Sequence, residues 1–300
     1  MANLKEVRER IKSVISTQQI TKAMKMVSAA KLRRAQEGIV RFRPYATKLQ
    51  AMMQNIIANM EGDSASELGQ VRDVQKAFIV VVTSNKGLCG AFNTNIIKEA
   101  IKLVEGRYAE QRASGNLYMM FIGKKGYDYF KKHYADIRLM DDYVGILEKI
   151  NFDEVVRIPE FLMDSFKDKD LDEAVVVYGE FKNAAVQFAR AEQFLPVPKP
   201  KKVEDEEQKR SFKADYIFEP SKEKLLQTLI PTILKNQFYK YLLDTSASEH
   251  GARMTAMENA TENANEMLKE LKISYNKARQ EAITRELSEI VSGAKALEEG

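Results

Sequence analysis

The sequence predicts an α/β protein in which a long antiparallel two-helix coiled coil, built from the two termini, joins a small, mostly parallel, Rossmann-like α/β domain. Three observations predict it. From Met254 onward, apolar or small residues fall at Met254, Met257, Thr261, Ala264, Leu268, Leu271, Tyr275, Ala278 and Ala282, in steps that alternate three and four. Such a heptad seam needs a second helix to cover it. The first sixty residues offer that helix, with no glycine or proline before Gly38. Between the two, short apolar strands alternate with helical segments, the pattern of a mostly parallel sheet covered by helices. Two terminal helices that leave one domain are most simply paired antiparallel.

The elements follow in order. Residues 3–60 form the first helix: Leu4, Val7, Ile11 and Val14 step by three, four and three, and the pattern continues more weakly through Ile20, Met24 and Val27. Small residues there let a partner backbone approach, and Pro44 bends the helix. Eleven Lys or Arg against three Glu between Met1 and Arg43 make a basic face, either solvated or turned to an acidic partner. Residues 62–69 are a loop. Strand 77–83 (AFIVVVT) leads into the turn SNKGLCGAFN, where Gly87 and Gly90 supply φ > 0, and then a helix over 93–104. Strand 117–122, helix 124–133 and a short strand at 137–140 come next. Asn151 caps a helix that Pro159 limits or kinks. Strand 174–178 pairs with 186–194 through a turn at 179–183. Residues 196–210 are Pro-rich, then charged, and read as an exposed insertion. A strand at 212–219 precedes the last helix, capped by Ser221, bent at Pro231 and weakened at Gly251. The domain division is therefore 1–60, 70–219 and 220–300.

Composition narrows the function. A hydrophobic content of 44% with 14 Phe and 12 Tyr supports a packed core. The longest purely aliphatic-aromatic run, 77–82, is far short of the ~20 residues that span a bilayer. The N-terminus lacks the apolar stretch of a secretory signal, and the single Cys89 suits a reducing compartment. The turn at 84–93 sits where phosphate-binding loops sit, but it has neither G-x-x-x-x-G-K-[ST] nor G-x-G-x-x-G. Cys89 has no neighbouring ligand, His133 and His250 stand apart, and Asp141–Asp142 read as a solvated turn, so no catalytic set, metal site or cofactor is expected. Two rival readings stay open on the residues alone. One is a nucleotide-dependent enzyme built on the α/β domain. The other is a coiled-coil adaptor with an α/β domain or a nucleic-acid-binding protein, although no helix-turn-helix, zinc or RNP pattern follows the basic helix.

Four stretches carry a resemblance. ISTQQITKAMKMVSAAKLRRAQ (15–36), TSNKGLCGAFNTN (83–95), ARMTAMENATENA (252–264) and YNKARQEAITRELSEIVSGAKAL (275–297) closely resemble the gamma subunit of the F-type ATP synthase. The resemblance implies the non-catalytic central rotor shaft of F1, which couples ion translocation to ATP synthesis on an alpha-three beta-three hexamer by rotation. It also implies the epsilon subunit and the c-ring as partners, no nucleic acid, and a peripheral place on the cytoplasmic face of the bacterial plasma membrane. Carried over residue by residue, it places Met24, in ITKAM, opposite an acidic lever loop of beta. It places Arg253, in ARM, and Gln280 and Thr284, in ARQEAIT, at shaft–hexamer contacts. Lys86, in SNKG, stands where the family usually has Arg in SDRG, so the charge stays and the guanidinium fork is lost. The 196–210 insertion lies where photosynthetic members carry a regulatory cysteine pair; this chain has no cysteine there.

Helix lengths add one expectation. At 1.5 Å per residue, 3–57 spans roughly 80 Å and 222–298 roughly 115 Å. About the last 23 residues, from near Tyr275, then lack a partner from their own chain. The seam skips one residue at Ala282–Ile283 and resumes at Ile283, Leu287 and Ile290. An apolar stripe on a lone helix marks a partner site, and the resemblance supplies an apolar collar at the top of the hexamer.

Overall fold

The computed structural model describes residues 4–58, 67–197 and 222–298. The expected loop at 62–66, residues 198–210 of the insertion, the 212–219 strand and the Ser221 cap lie outside the described residues. The chain folds as two compact units, Met1–Ser28 with Met254–Gly300, and Ala29–Arg253. This division passes through both long helices, α1 (Leu4–Ala58) and α7 (Lys222–Glu298). Pro44 and Pro231 each remove a backbone donor, yet neither interrupts its helix.

The larger unit is built on a five-stranded sheet. Its strands are β1 (Ala77–Val82), β2 (Leu117–Ile122), β3 (Arg138–Met140), β4 (Glu173–Phe181) and β5 (Gln187–Leu195), in the order β3-β2-β1-β4-β5. The first four are parallel, and β5 runs antiparallel to β4. In β1, Phe78, Val80 and Val82 point to one face and Ala77, Ile79 and Val81 to the other; all six are buried. A strand covered on both faces must be continuously apolar, which is why AFIVVV is legible as a run rather than as an alternation.

Each face has its own cover. α6 (Arg157–Lys167) brings Ile158, Leu162 and Phe166 onto the first face, and α7 brings Leu234, Phe238 and Tyr241. α2 (Phe92–Lys102) and α4 (Lys124–His133) cover the second with Phe92, Ile96, Ala100 and Phe130. Full burial of such a side chain contributes roughly 1.5–3 kcal/mol. Polar groups where α7 crosses the sheet are paired. Ser248 Oγ donates to Gly179 O at 3.1 Å, and Thr245 Oγ1 accepts from Gly179 N at 3.2 Å. Glu192 accepts from both Tyr178 (2.7 Å) and Tyr241 (2.8 Å).

Several expectations need correction. The helix that follows the turn ends at Lys102 and gives way to a π-turn over Leu103–Arg107 and then α3 (Ala109–Ala113). Asn151 does cap α5 (Phe152–Val155), accepting from Asp153 N at 3.4 Å. The Asn151-capped helix does end before Pro159, at Val155, whose carbonyl a proline N–H cannot serve, and α6 starts anew at Arg157 with Pro159 tolerated in its first turn. The β4–β5 connection lies at 182–186, a few residues later than expected. Positive φ in the 84–93 turn falls on Gly90 (58°) and Leu88 (63°), not on Gly87. Gly251, read as a weak point, is a close-approach position: a Cβ there would meet Ala184 O at 3.2 Å.

The smaller unit is an antiparallel helix pair. Arg8 contacts Tyr275, Gln18 contacts Asn265, Thr21 contacts Thr261 and Lys25 contacts Glu258. Residue i therefore faces residue 283 − i or its neighbour throughout. Val7, Thr21, Met257, Ala264 and Leu268 are buried along the seam, as the heptad spacing requires.

Candidate functional site

The helix pair presents three kinds of surface. Its seam is narrow and partly polar. Thr21 and Thr261 hydroxyls bond at 2.8 Å, Lys25 Nζ meets Glu258 Oε1 at 2.6 Å, Gln18 pairs with Asn265, and Arg8 Nη2 donates to Tyr275 OH at 2.9 Å. The Arg8 cation next to that hydroxyl lowers the Tyr275 pKa from its ordinary value. The flanks expose Ile20, Met26, Val27 and Ile273. Met24 is half-buried beside the seam.

Beyond residue 279 the register leaves α7 no residue of α1 to face, since α1 is described from Leu4. The overhang thus begins about four residues later than helix lengths alone suggest, because Arg8 still reaches Tyr275. On it, Gln280 and Thr284 are exposed, and Ile283, Leu287, Ile290 and Val291 are 45%, 58%, 62% and 56% exposed. Charge is interspersed but does not cover this stripe.

The loop after β1, in the larger unit, is rigidly held. Ser84 N donates to Asn93 Oδ1 at 3.0 Å, Ser84 Oγ to Lys86 O at 2.7 Å, and Asn93 Nδ2 to Cys89 Sγ at 3.2 Å. Lys124 N donates to Asn85 Oδ1 at 3.0 Å from the start of α4. Arg253 completes the clamp: Nη2 donates to Lys86 O (3.0 Å) and Gly87 O (3.3 Å), and Nη1 pairs with Glu249 at 2.6 Å. Lys86 and Leu88 are left exposed at the rim. Arg253 itself is buried. His250, beside it, is held neutral: burial, then the Arg253 and Lys31 cations, lowers its pKa to about 4.

Two sequence-predicted contact residues, Lys86 and Arg253, are thus brought together, 167 positions apart in the chain. Gln280, Thr284, Ile283, Leu287 and Ile290 are gathered on the overhang, and Met24 stands alone on α1. Sequence reasoning missed Leu88, whose positive φ has no signature in a leucine, and Asn93, whose side chain ties the loop back to Ser84 rather than capping α2, a long-range role that no local pattern announces. Among the described residues no cluster of three or more His, Cys, Asp or Glu is placed to hold a metal ion. No described helix is long and apolar enough to cross a membrane.

Fold and surfaces together describe a class: an α/β domain with a long antiparallel helix pair that ends in an exposed apolar stripe. Comparison with known proteins gives the family. A sequence profile described as ATP synthase matches residues 3–297. The ATP synthase gamma chains of Cytophaga hutchinsonii and Flavobacterium psychrophilum are each 50% identical over 297 residues, covering 99% of both chains. That of Chlorobium phaeobacteroides is 45% identical over 298 residues, again covering 99% of each. The fold matches a chain in the Euglena gracilis mitochondrial ATP synthase OSCP/F1/c-ring structure with a TM-score of 0.67 at 21% identity, over 98% of this chain and 94% of that one. It also matches a chain of the rotor of the same synthase with a TM-score of 0.63 at 22% identity, over 93% and 98%. The chain belongs to the ATP synthase gamma-chain family. It is accordingly a non-catalytic subunit, and the ion-driven making of ATP is work it transmits rather than performs.

Proposed function

We propose that this chain is the central shaft of an F1Fo ATP synthase and that its two units divide the labour. The helix pair enters an alpha-three beta-three hexamer, and the α/β unit binds the epsilon subunit and the c-ring. Rotation of the c-ring turns the shaft, and its asymmetric surface drives the catalytic sites through their binding states. The observation that carries the reading is the exposed apolar stripe of Ile283, Leu287, Ile290 and Val291 on a helix end beyond the last described residue of α1 that the pairing register reaches. That stripe fits an apolar collar, which must grip without fixing an angle. Gln280 precedes it and Thr284 lies beside its first residue, Met24 faces beta from α1, and Lys86 reaches beta from a loop that Arg253 holds in shape. The functional division remains 1–60, 70–219 and 220–300, with 196–210 as an insertion. Attachment is peripheral, on the cytoplasmic face of the bacterial plasma membrane.

Co-purification tests it. A tagged full-length chain expressed in its own cell should bring down alpha, beta, epsilon and c. A chain ending at Thr284 should bring down less alpha and beta while keeping epsilon and c. Recovery of the full chain without any ATPase subunit would refute the assignment.

A further inference from the structure

Three carboxylates and three cations gather where α7 crosses β4 and β5 in the larger unit. Two of the carboxylates are committed. Glu192 accepts from Tyr178 at 2.7 Å on one oxygen and from Tyr241 at 2.8 Å on the other, and Glu180 accepts from Arg190 Nε at 2.9 Å. The third, Asp244, is 6% exposed, and among the described residues it makes neither a hydrogen bond nor an ion pair. Buried polar groups are normally paired, and a buried carboxylate without a donor is costly.

The groups that face Asp244 are Lys240 and Tyr241 on its own helix, Tyr178 and Glu180 on β4, Glu192 on β5 and Arg43 on α1. Burial, reinforced by the two glutamates and opposed by Lys240 and Arg43, brings its pKa up to about 6. Both of those cations are exposed, and among the described residues neither is in an ion pair. Lys240 sits one turn back on the same helix, so a bond from it joins no new element. Arg43 belongs to a different helix. There α1 lies along α7: the rings of Phe42 and Tyr239 are 5.4 Å apart, and a Cβ on Gly38 would lie 3.7 Å from Leu243 Cδ2. With 38 beside 243 and 42 beside 239, the two helices run antiparallel, and Arg43 sits ~9 Å along the axis from the point opposite Asp244. Helical side chains lean toward the N-terminus of their own helix. In this antiparallel pair that leans Arg43 and Asp244 toward each other, and a long guanidinium arm closes the gap.

We propose that Asp244 and Arg43 form a proton-gated latch between α7 and α1. Loss of the Asp244 proton draws the Arg43 guanidinium in to donate to the carboxylate, a charge-assisted bond, and its return releases the arginine. The bond offsets part of the cost of the buried charge and leaves the carboxyl harder to ionise than an exposed one. Latched, the stretch of α1 around Arg43 is tied through α7 to the sheet. Unlatched, it rests on apolar contacts such as that of Phe42 with Tyr239. The switching range lies just below neutral pH, so the latch opens as the surroundings acidify. It lies within the larger unit and does not depend on the shaft assignment.

Two measurements on the full-length chain test it. The first is NMR of aspartate labelled at its carboxyl carbon, followed from about pH 4 to 8. The Asp244 signal, assigned by its loss in Asp244→Asn, should titrate near 6. Arg43→Gln should raise that midpoint by about half a unit to one unit. The second is hydrogen exchange over residues 39–49, corrected for the intrinsic rate at each pH. Because linkage is reciprocal, protection there should be about three- to tenfold higher at pH ~7.5 than at pH ~5. Asp244→Asn and Arg43→Gln should each remove that difference. A midpoint unmoved by Arg43→Gln, or a pH-dependent protection that survives in Asp244→Asn, overturns the proposal. So does a midpoint moved by Lys240→Gln alone, since the contact would then stay within α7. Should Asp244→Asn fail to fold, the exchange of the unaltered chain against that of Arg43→Gln decides alone.

Discussion

Asp244 is buried on α7 near Lys240, Glu180, Glu192 and Arg43, and burial raises its pKa to about 6. The folded chain therefore binds an extra proton between about pH 4 and 6, and this group's effect on stability becomes less favourable as pH climbs through that window. Asp244→Asn should remove that slope and stabilise the chain at pH 7 by on the order of 2 kcal/mol. His250 does the reverse. Its pKa is lowered to about 4, so its contribution is present above pH 6.5 and is lost as pH falls toward 4. His250→Gln should flatten the acid side. Urea midpoints measured from pH 4 to 8 on both variants check the two signs. Gly123 gives a harsher test. It sits at φ 96°, and a Cβ there would lie 1.8 Å from Thr83 O. Gly123→Ala should cost more than about 3 kcal/mol or abolish folding. Gly293→Ala, with nothing within 4 Å of the new methyl, should leave the fold intact. Chemical denaturation and soluble yield distinguish the two.

The end of α7 carries the next prediction. Residues 286–295 are exposed and lie beyond the register that pairs α7 with the described residues of α1. A lone helical end frays, because helix stability in proteins comes mostly from packing. Amides over 284–297 should therefore exchange quickly in the free subunit and slowly in the assembled hexamer, as read by hydrogen-exchange mass spectrometry. Slow exchange in the free subunit would mean that the tip packs on its own chain, and the collar assignment would fail. Glu286 and Glu289 are exposed, and charges that water reaches are screened within ~8 Å at physiological salt. Reversing either should change assembly far less than removing Ile283, Leu287 and Ile290 together.

The whole chain has an uneven distribution of core. The larger unit owns both apolar clusters around the sheet, whereas the helix pair buries only a few apolar side chains, among them Val7, Met257, Ala264 and Leu268. Unfolding of the free subunit should then be non-coincident: helical ellipticity at 222 nm should begin to fall at a lower temperature than the aromatic signal near 280 nm. The same unevenness explains what the sequence revealed. Runs such as 77–82 and 117–122 are legible because both faces of the strand are buried, and the seam from Met254 to Ala278 because one neighbour covers it. Pro159 is legible as the limit of the Asn151-capped helix, but α6, which carries it in a first turn, is not. The π-turn has no compositional mark. Arg253 is harder still: its partners are backbone carbonyls at 86 and 87, which no local pattern announces. Resemblance marked it as a contact residue, while its geometry gives it the task of holding the loop that carries Lys86.

The pairs along the helix seam have a mechanical consequence. Two helices joined only by greasy side chains are like wet ropes: one slides past the other by a heptad and finds nearly the same fit. Gln18–Asn265, Thr21–Thr261 and Lys25–Glu258 act instead as dowels, because a directional pair matches at one setting and at no other. Small side chains between the dowels keep the helices close together. Under twist, such pairs oppose creep between the two helices, so more of an angle applied at one end is delivered at the other.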